Sequence, residues 1–398
     1  MKKIGLLPRL IIAIILGILL GTVAPEWLVK IFVTFNNIFG NFLGFAIPLI
    51  IIGFVAPGIG DLGKGAGKLL GVTALIAYGS TIISGSLAYF TGTTVLPKVL
   101  HLSSLAVDAK NPEEALLAPF FKVEMPPIMG VMTALLIAFT LGLGMAVIEG
   151  DTMKKFLHEF QSIIEKLISN IIIPLLPIHI LGIFANMTHA GEVAAIMSVF
   201  AKVFVMIIIL HIAILIIQYF IAGTFFAGAN PFKLFKTMLP AYFTAIGTQS
   251  SAATIPVTLK QAKQNGVDDG IAEFVIPLCA TIHLSGSTIT LTGCAMAVMM
   301  INGMETTFAS MFPFILMLGV TMVAAPGVPG GAVMAALGLL QSMLGFSDTL
   351  TSLMIALYLA QDSFGTACNV TGDGAIAIIV NKISGKKLQP KENVSING

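Results

Sequence analysis

Long apolar runs alternate with short polar connections along this chain, and runs of about 18 or more such residues are long enough to cross a bilayer as helices. They fall near residues 8–24, 30–57, 69–95, 128–148, 165–187 and 194–224. The first follows Met1-Lys2-Lys3 and has the outline of a signal peptide over Leu10–Val23. No Ala-x-Ala site follows it and Pro25-Glu26-Trp27 ends it, so a first membrane helix is expected. After residue 230 the pattern changes. Apolar stretches are interrupted there by Gly, Pro, Ser and Thr instead of charged loops.

Segment 231–262 is apolar at both ends and reads Gly247-Thr248-Gln249-Ser250-Ser251-Ala252-Ala253-Thr254-Ile255-Pro256 in its middle. Segment 308–345 repeats the theme with Pro326-Gly327-Val328-Pro329-Gly330-Gly331. Each half is too short to span the hydrocarbon core alone. A hairpin that enters and leaves on one side, its tip buried in protein, is expected in both places; a kinked ordinary helix is the alternative. Each hairpin precedes a long helix, 270–300 and 347–382. The first is expected to break at His283-Leu284-Ser285-Gly286-Ser287, the second at Asn369-Val370-Thr371-Gly372-Asp373. A hairpin plus a broken helix, twice over, is the sequence form of inverted repeats around a midplane site. The mixed-charge connection 97–127 reads as a solvated external loop long enough to cover a surface.

Composition excludes a soluble domain. Of 398 residues, 57% are hydrophobic and 10% charged, against about 25% charged in soluble domains; mean hydropathy is +0.98. Lipid is the solvent that tolerates such a surface. A net charge of +2 carries no information about partners, but the placement of charge does. With a cytoplasmic N-terminus, six spans, a cytoplasmic first hairpin and an external second one, the C-terminal tail 383–398 is cytoplasmic too. Sixteen basic residues then fall inside and four outside (Lys30, Lys98, Lys110 and Lys122), with Lys202 unassigned. This is the positive-inside bias of a multi-pass protein of a plasma or inner membrane. Cys279, Cys294 and Cys368 all lie in apolar segments and show no disulfide or zinc spacing.

Almost all of the 19 acidic residues lie in loops or near span ends; Asp362 and Asp373 do not. An ionisable group at membrane depth is a functional hypothesis by default; a helix-end position for Asp362 and a structural pair for Asp373 are the alternative. Positions 362, 366, 369 and 373 recur at four, three and four, which places them on one helix face at about 100° per residue. Asp362, Thr366, Asn369 and Asp373 would line a cavity for a polar solute, with oxygen ligands for a hard cation. Asp373 suits the cation and Asp362 an ammonium. The hydroxyls and N–H groups at Ser250-Ser251 suit a carboxylate, or simply break a helix. His283 is either a hydrogen-bonded structural residue or a protonatable site. His179 and His211 are expected to be structural.

Gly247–Pro256, the run Pro277-Leu278-Cys279-Ala280-Thr281-Ile282-His283, Gly327-Val328-Pro329-Gly330 and Asn369–Asp373 together resemble the glutamate-transporter, or dicarboxylate/amino acid:cation symporter, family. The likeness holds in order and spacing from about 231 to 382; before 230 only the number and character of the spans agree. It implies an all-α membrane fold of eight transmembrane helices and two re-entrant hairpins, a homotrimer, and an elevator-type transport domain beside a scaffold. Residues 1–230 then form scaffold and trimer contacts, with spans 3 and 6 joining the transport core 231–382. Ser250, Ser251, Ser287, Asp362, Gly365, Thr366 and Asn369 inherit substrate contacts, and Val328, Pro329 and Gly330 the tip of the gate. Asp373, Asn369, Cys279, Thr281, His283 and Ser285 inherit the cation site. Two departures matter. Gly365 and Gln249 stand where acidic-substrate members place an arginine, and the one Arg of the chain is the distant Arg9. A side-chain carboxylate would lack its guanidinium partner, so a small neutral amino acid is expected. Ser285 stands where the family has an aspartate; fewer sodium ions, or a proton at His283, would follow.

The expectation is a cation-coupled symporter or exchanger, Na⁺ or H⁺ driven, without other cofactor, enzymatic activity or nucleic-acid partner. A dicarboxylate carrier is the alternative. A channel is more remote, and so is a membrane-embedded enzyme, whose two aspartates on one helix would lie about 16 Å apart.

Overall fold

The computed structural model describes residues 6–61, 67–100, 116–148, 151–191, 193–322, 325, 330–386 and 388. Every regular element among them is helical. Among the described residues six helices are long and apolar enough to cross a membrane: Glu26–Gly60, Leu69–Val99, Asp151–His189, Met197–Ala227, Asp269–Ile301 and Asp362–Ile383.

Before residue 230 lie α1 (Leu6–Val23), α2 (Glu26–Asp61), α3 (Gly67–Leu100), α4 (Val131–Val147), α5 (Asp151–Leu167), α6 (Ile173–His189) and α7 (Val193–Phe220). A π-helical turn, Ile168–Ile172, joins α5 and α6 into one rod. The span expected at 165–187 therefore starts earlier, at Asp151. α5 buries Leu157 and Ile164 and exposes Lys154, Lys155, Glu159, Glu165 and Lys166. Those charges end the apolar run without ending the 3.6-residue period that builds the helix. α3 also runs past the expected loop start at 97. Pro97 and Lys98 sit near its end, where a proline removes one ladder bond and a lysine suits the helix dipole. Of the connection that follows, 101–115 lies outside the described residues. Residues 116–130 lie across α2 and α6: the Leu117 N–H donates to Asn186 Oδ1 at 3.0 Å and the Phe120 N–H to Thr34 Oγ1 at 2.9 Å.

After residue 230 the elements are shorter: α8 (Pro231–Thr248), α9 (Ser251–Gln264), α10 (Asp269–Ile282), α11 (Ser285–Ile301), α12 (Phe308–Met322), α13 (Gly331–Leu344), α14 (Asp348–Leu359) and α15 (Asp362–Ile383). Asn230 caps α8, accepting from the N–H groups of Phe232 and Lys233. Two residues then reverse the chain into α9. Gln249 is left-handed at φ 53°, and Ser250 Oγ accepts from the Ala253 N–H at 3.3 Å. The helix over 270–300 breaks at His283-Leu284, as expected from its motif. The second break falls elsewhere. Residues 369–373 are regular helix inside α15, and the interruption lies at Ala360-Gln361. There Gln361 Nε2 donates to the Leu357 carbonyl at 3.1 Å, satisfying an acceptor that the end of α14 leaves open. Gly372 weakens the local preference for helix, but packing around α15 overrides it.

α15 is the hub. It packs against α7, α8, α9, α10 and α11, and nearly every residue from Asp362 to Asn381 is buried. α3 and α7 pack on α11 and α15. α1 instead lies along α6, and α2 on α4, α5 and α6. The two groups meet where α13 lies on α2 and α14 on α6. Gly17 and Gly21 let α1 close on α6: a Cβ at Gly17 would lie 2.5 Å from the Leu181 carbonyl oxygen, and one at Gly21 2.6 Å from Thr188 Cβ. Small residues four apart allow such contact where no hydrophobic effect drives helices together. Gly17→Leu is expected to destabilise the protein by about 1–3 kcal/mol, the usual cost of overpacking. A lowered thermal midpoint in detergent, followed by size exclusion after heating, checks this.

Candidate functional site

Four polar side chains of one α15 face, Asp362, Thr366, Asn369 and Asp373, are buried in protein. A charged or amide group in such surroundings needs a partner, and the breaks of neighbouring helices supply them. The first N–H groups of a helix have no acceptor within it. At the start of α11 those donors point at α15: Asn369 Oδ1 accepts from the Gly286 N–H at 2.8 Å and the Ser287 N–H at 3.3 Å. Asn369 Nδ2 donates to Ser287 Oγ at 3.0 Å. One amide thus caps another helix and uses both of its ends. The approach requires glycine at 286. A Cβ there would lie 2.5 Å from the Gly365 carbonyl oxygen and 2.6 Å from Cys368 Cβ.

Asp362 and Asp373 sit at opposite ends of this cap. Asp362 Oδ2 accepts from the Gly330 N–H at 2.7 Å, which ties the start of α13 to α15. Tyr358, fully buried, lies beside both Asp362 and Ser287. Asp373 Oδ1 pairs with His283 Nδ1 at 2.9 Å, both side chains fully buried. No basic residue of α15 reaches Asp373; the partner comes from the α10–α11 break. Asp373 Oδ2 has no hydrogen-bond partner among the described residues. A buried carboxylate oxygen left open is a hard-cation ligand by its chemistry.

The other expected residues divide. Ser285 is buried next to this cluster, and Cys279 is buried beside Asp373. Gly365 faces the Gly286–Ser287 backbone. The Thr281 hydroxyl does not join: it is exposed and donates to the Leu278 carbonyl of its own helix at 2.8 Å. Ser251 is buried and Ser250 half-buried at the tip, and the turn of α8 that leads into it packs Ala245 with Ala367 and Val370, one residue on from Thr366 and Asn369. Val328 and Pro329 lie outside the described residues; Gly330 is described and touches Asp362. His179 is remote from the cluster, bridging Asn36 and Ser352. His211 Nε2 lies 3.0 Å from the Gly286 carbonyl and so helps hold the break.

Three polar groups escaped the motif reading. Ser80 of α3 lies 3.1 Å from His283 Nε2, and Gln218 Nε2 of α7 donates to Ser80 Oγ at 2.9 Å. The Tyr219 hydroxyl donates to the Thr371 carbonyl at 2.7 Å. Gln218 was legible as a lone amide within an apolar run; Ser80 carried no signal, since membrane helices hold many such hydroxyls.

The profile of the sodium:dicarboxylate symporter family matches residues 6–383. A serine/threonine transporter, SstT, of Acinetobacter baumannii (strain AYE) is 28% identical over 391 residues, covering 94% of this chain and 95% of that protein. Excitatory amino acid transporter 1 of Ambystoma tigrinum is 27% identical over 310 residues, covering 75% of this chain and 55% of that protein.

Asn369→Ala is expected to leave two buried N–H groups of α11 without an acceptor, at about 1–3 kcal/mol each. Asn369→Asp keeps the acceptor and is expected to recover most of that loss. Thermal unfolding of the two purified variants checks the cap.

Proposed function

The chain belongs to the sodium:dicarboxylate symporter family, whose members are transporters coupled to a cation, and from that premise we propose that it carries a small neutral amino acid. One observation bears most of the weight. The acidic groups brought together on the α15 face are Asp362 and Asp373, with His283 beside the second, and the two positions where an arginine would take a second substrate carboxylate hold Gly365 and Gln249. Asp362 offers its carboxylate to the substrate ammonium. The Ser250-Ser251 tip offers hydroxyls and the N–H groups of α9 to the α-carboxylate. Thr366, Asn369 and Ser287 complete the polar wall, with Gly330 against Asp362 as the described part of the gate whose other residues, by resemblance, are Val328 and Pro329. The name of the Acinetobacter relative narrows the class further, to hydroxy amino acids such as serine and threonine.

In this reading Na⁺ is the coupling ion and Asp373 its principal ligand, helped by Ser285 and backbone oxygens near Asn369, Cys279 and Thr281. The eight spans are α1, α2, α3, α4, α5–α6, α7, α10–α11 and α14–α15, and the re-entrant hairpins are α8–α9 and α12–α13. Both termini are cytoplasmic. The packing of α3 and α7 on α11 and α15 supports one moving body of α3, α7 and α8–α15. It slides past α1, α2 and α4–α6, the scaffold through which three copies assemble.

Proteoliposomes with an imposed Na⁺ gradient should take up labelled serine, threonine or alanine. Uptake of labelled aspartate or succinate, without uptake of the neutral amino acids, would favour the dicarboxylate reading instead. Asp362→Ala should weaken substrate binding about 10- to 150-fold, the worth of a charge-assisted hydrogen bond. Asp373→Ala should raise the Na⁺ concentration for half-maximal uptake. Uptake indifferent to Na⁺ and to pH would remove the coupling.

A further inference from the structure

Four helices contribute one unbroken chain of hydrogen bonds that ends on Asp373. Gln218 Nε2 of α7 donates to Ser80 Oγ of α3 at 2.9 Å. Ser80 Oγ lies 3.1 Å from His283 Nε2, and His283 Nδ1 lies 2.9 Å from Asp373 Oδ1. A consistent placement of protons runs in one direction. Ser80 accepts from Gln218 and gives its own proton to His283 Nε2. The imidazole then carries its proton on Nδ1 and donates it to the carboxylate. The orientation of the ring is set by what its far nitrogen meets, as it is for histidines beside bound metal ions. The result at Asp373 is asymmetric: Oδ1 is committed and Oδ2 is open.

The chain of bonds is built into the packing. Gly372 admits it, since a Cβ there would lie 2.7 Å from Gln218 Oε1 and 2.8 Å from His283 Cε1. Gln218 is 8% exposed, His283 is fully buried and Ser80 between them is half-buried. Gln218 Nε2 also reaches Ser285 Oγ at 3.5 Å, the position where a second carboxylate is missing. With a single acidic ligand, cation affinity depends on how well that one carboxylate is aimed.

We infer that Ser80 and Gln218 are positioning residues for the coupling cation, acting through His283 to hold Asp373 with one oxygen turned to the ion. Neither touches the cation. The inference rests on the reading of Asp373 as the cation ligand and names the residues that aim it. Loss of such outer partners typically costs 10- to 100-fold in metal affinity.

The experiment is thermal unfolding of the purified full-length protein against NaCl, balanced with choline chloride, together with the amino-acid KM at saturating Na⁺. Ser80→Ala and Gln218→Met are each expected to raise the half-stabilising Na⁺ concentration about 10- to 100-fold, with KM at saturating Na⁺ unchanged. Ser80→Thr, which keeps the hydroxyl, is expected to stay within about twofold of the parent. The double variant is expected to be no weaker than the worse single one, because both act through one imidazole. Single variants with the parent's Na⁺ response overturn the inference and leave Asp373 as ligand untouched. Additive losses, or losses of KM and Na⁺ response together, overturn it in favour of general packing. A parent protein without any Na⁺ response, matched by Asp373→Asn, overturns the cation reading and the inference with it. If Gln218→Met does not fold, Ser80→Ala against Ser80→Thr decides alone.

Discussion

A helix rich in carboxylate, amide and hydroxyl groups cannot be buried without partners, and neither can the bare N-terminus of a broken helix. In this protein each supplies what the other lacks. Asn369 of α15 accepts the first N–H groups of α11, and His283 at the same break donates to Asp373. The rest of the core is arranged around this exchange. Gly286 and Gly372 are bare because the helices must come close enough for it. α3 and α7 are drawn in because His283 and the Gly286 carbonyl need further partners, which Ser80 and His211 provide.

The same exchange orders the site along the helix axis. Asp362 lies at one end and Asp373 at the other, three turns apart, with the Asn369 cap between them. The Asp362 end meets the start of α13 through Gly330 and is bounded by Tyr358. The Asp373 end is fully buried, beside His283 at the α10–α11 break, Tyr219 of α7 and Cys279 of α10. The first end is held by a backbone N–H at the start of α13, and the second keeps one carboxylate oxygen without a hydrogen-bond partner among the described residues. Both ends bear on one helix and on one inter-helical cap.

The polar face of α15 carries carboxylates and no arginine. A guanidinium beside Asp362 would give a second carboxylate a bidentate partner, and without one such a carboxylate would be desolvated for no return. Gly365 instead leaves its face of α15 flush against the Gly286–Ser287 backbone.

Much of this was written in the chain. Hydrophobic runs marked the membrane helices, because lipid leaves no other way to satisfy a spanning backbone. The four, three, four spacing from Asp362 to Asp373 put the polar face on one side of one helix, because helical period is a local property. Gly, Ser and Pro at 247–256 and 283–287 marked the hairpin turn and the first break for the same local reason. Tertiary structure decided the rest. It kept residues 369–373 helical and moved the second break to Ala360-Gln361, where a side chain could close the helix end. It extended α6 backwards through the charged α5, whose buried positions follow a period and not a run. It chose His283 as the partner of Asp373, and it enlisted Ser80 and Gln218. No spacing in the sequence encodes those contacts, because they join four helices that meet only once the chain has folded.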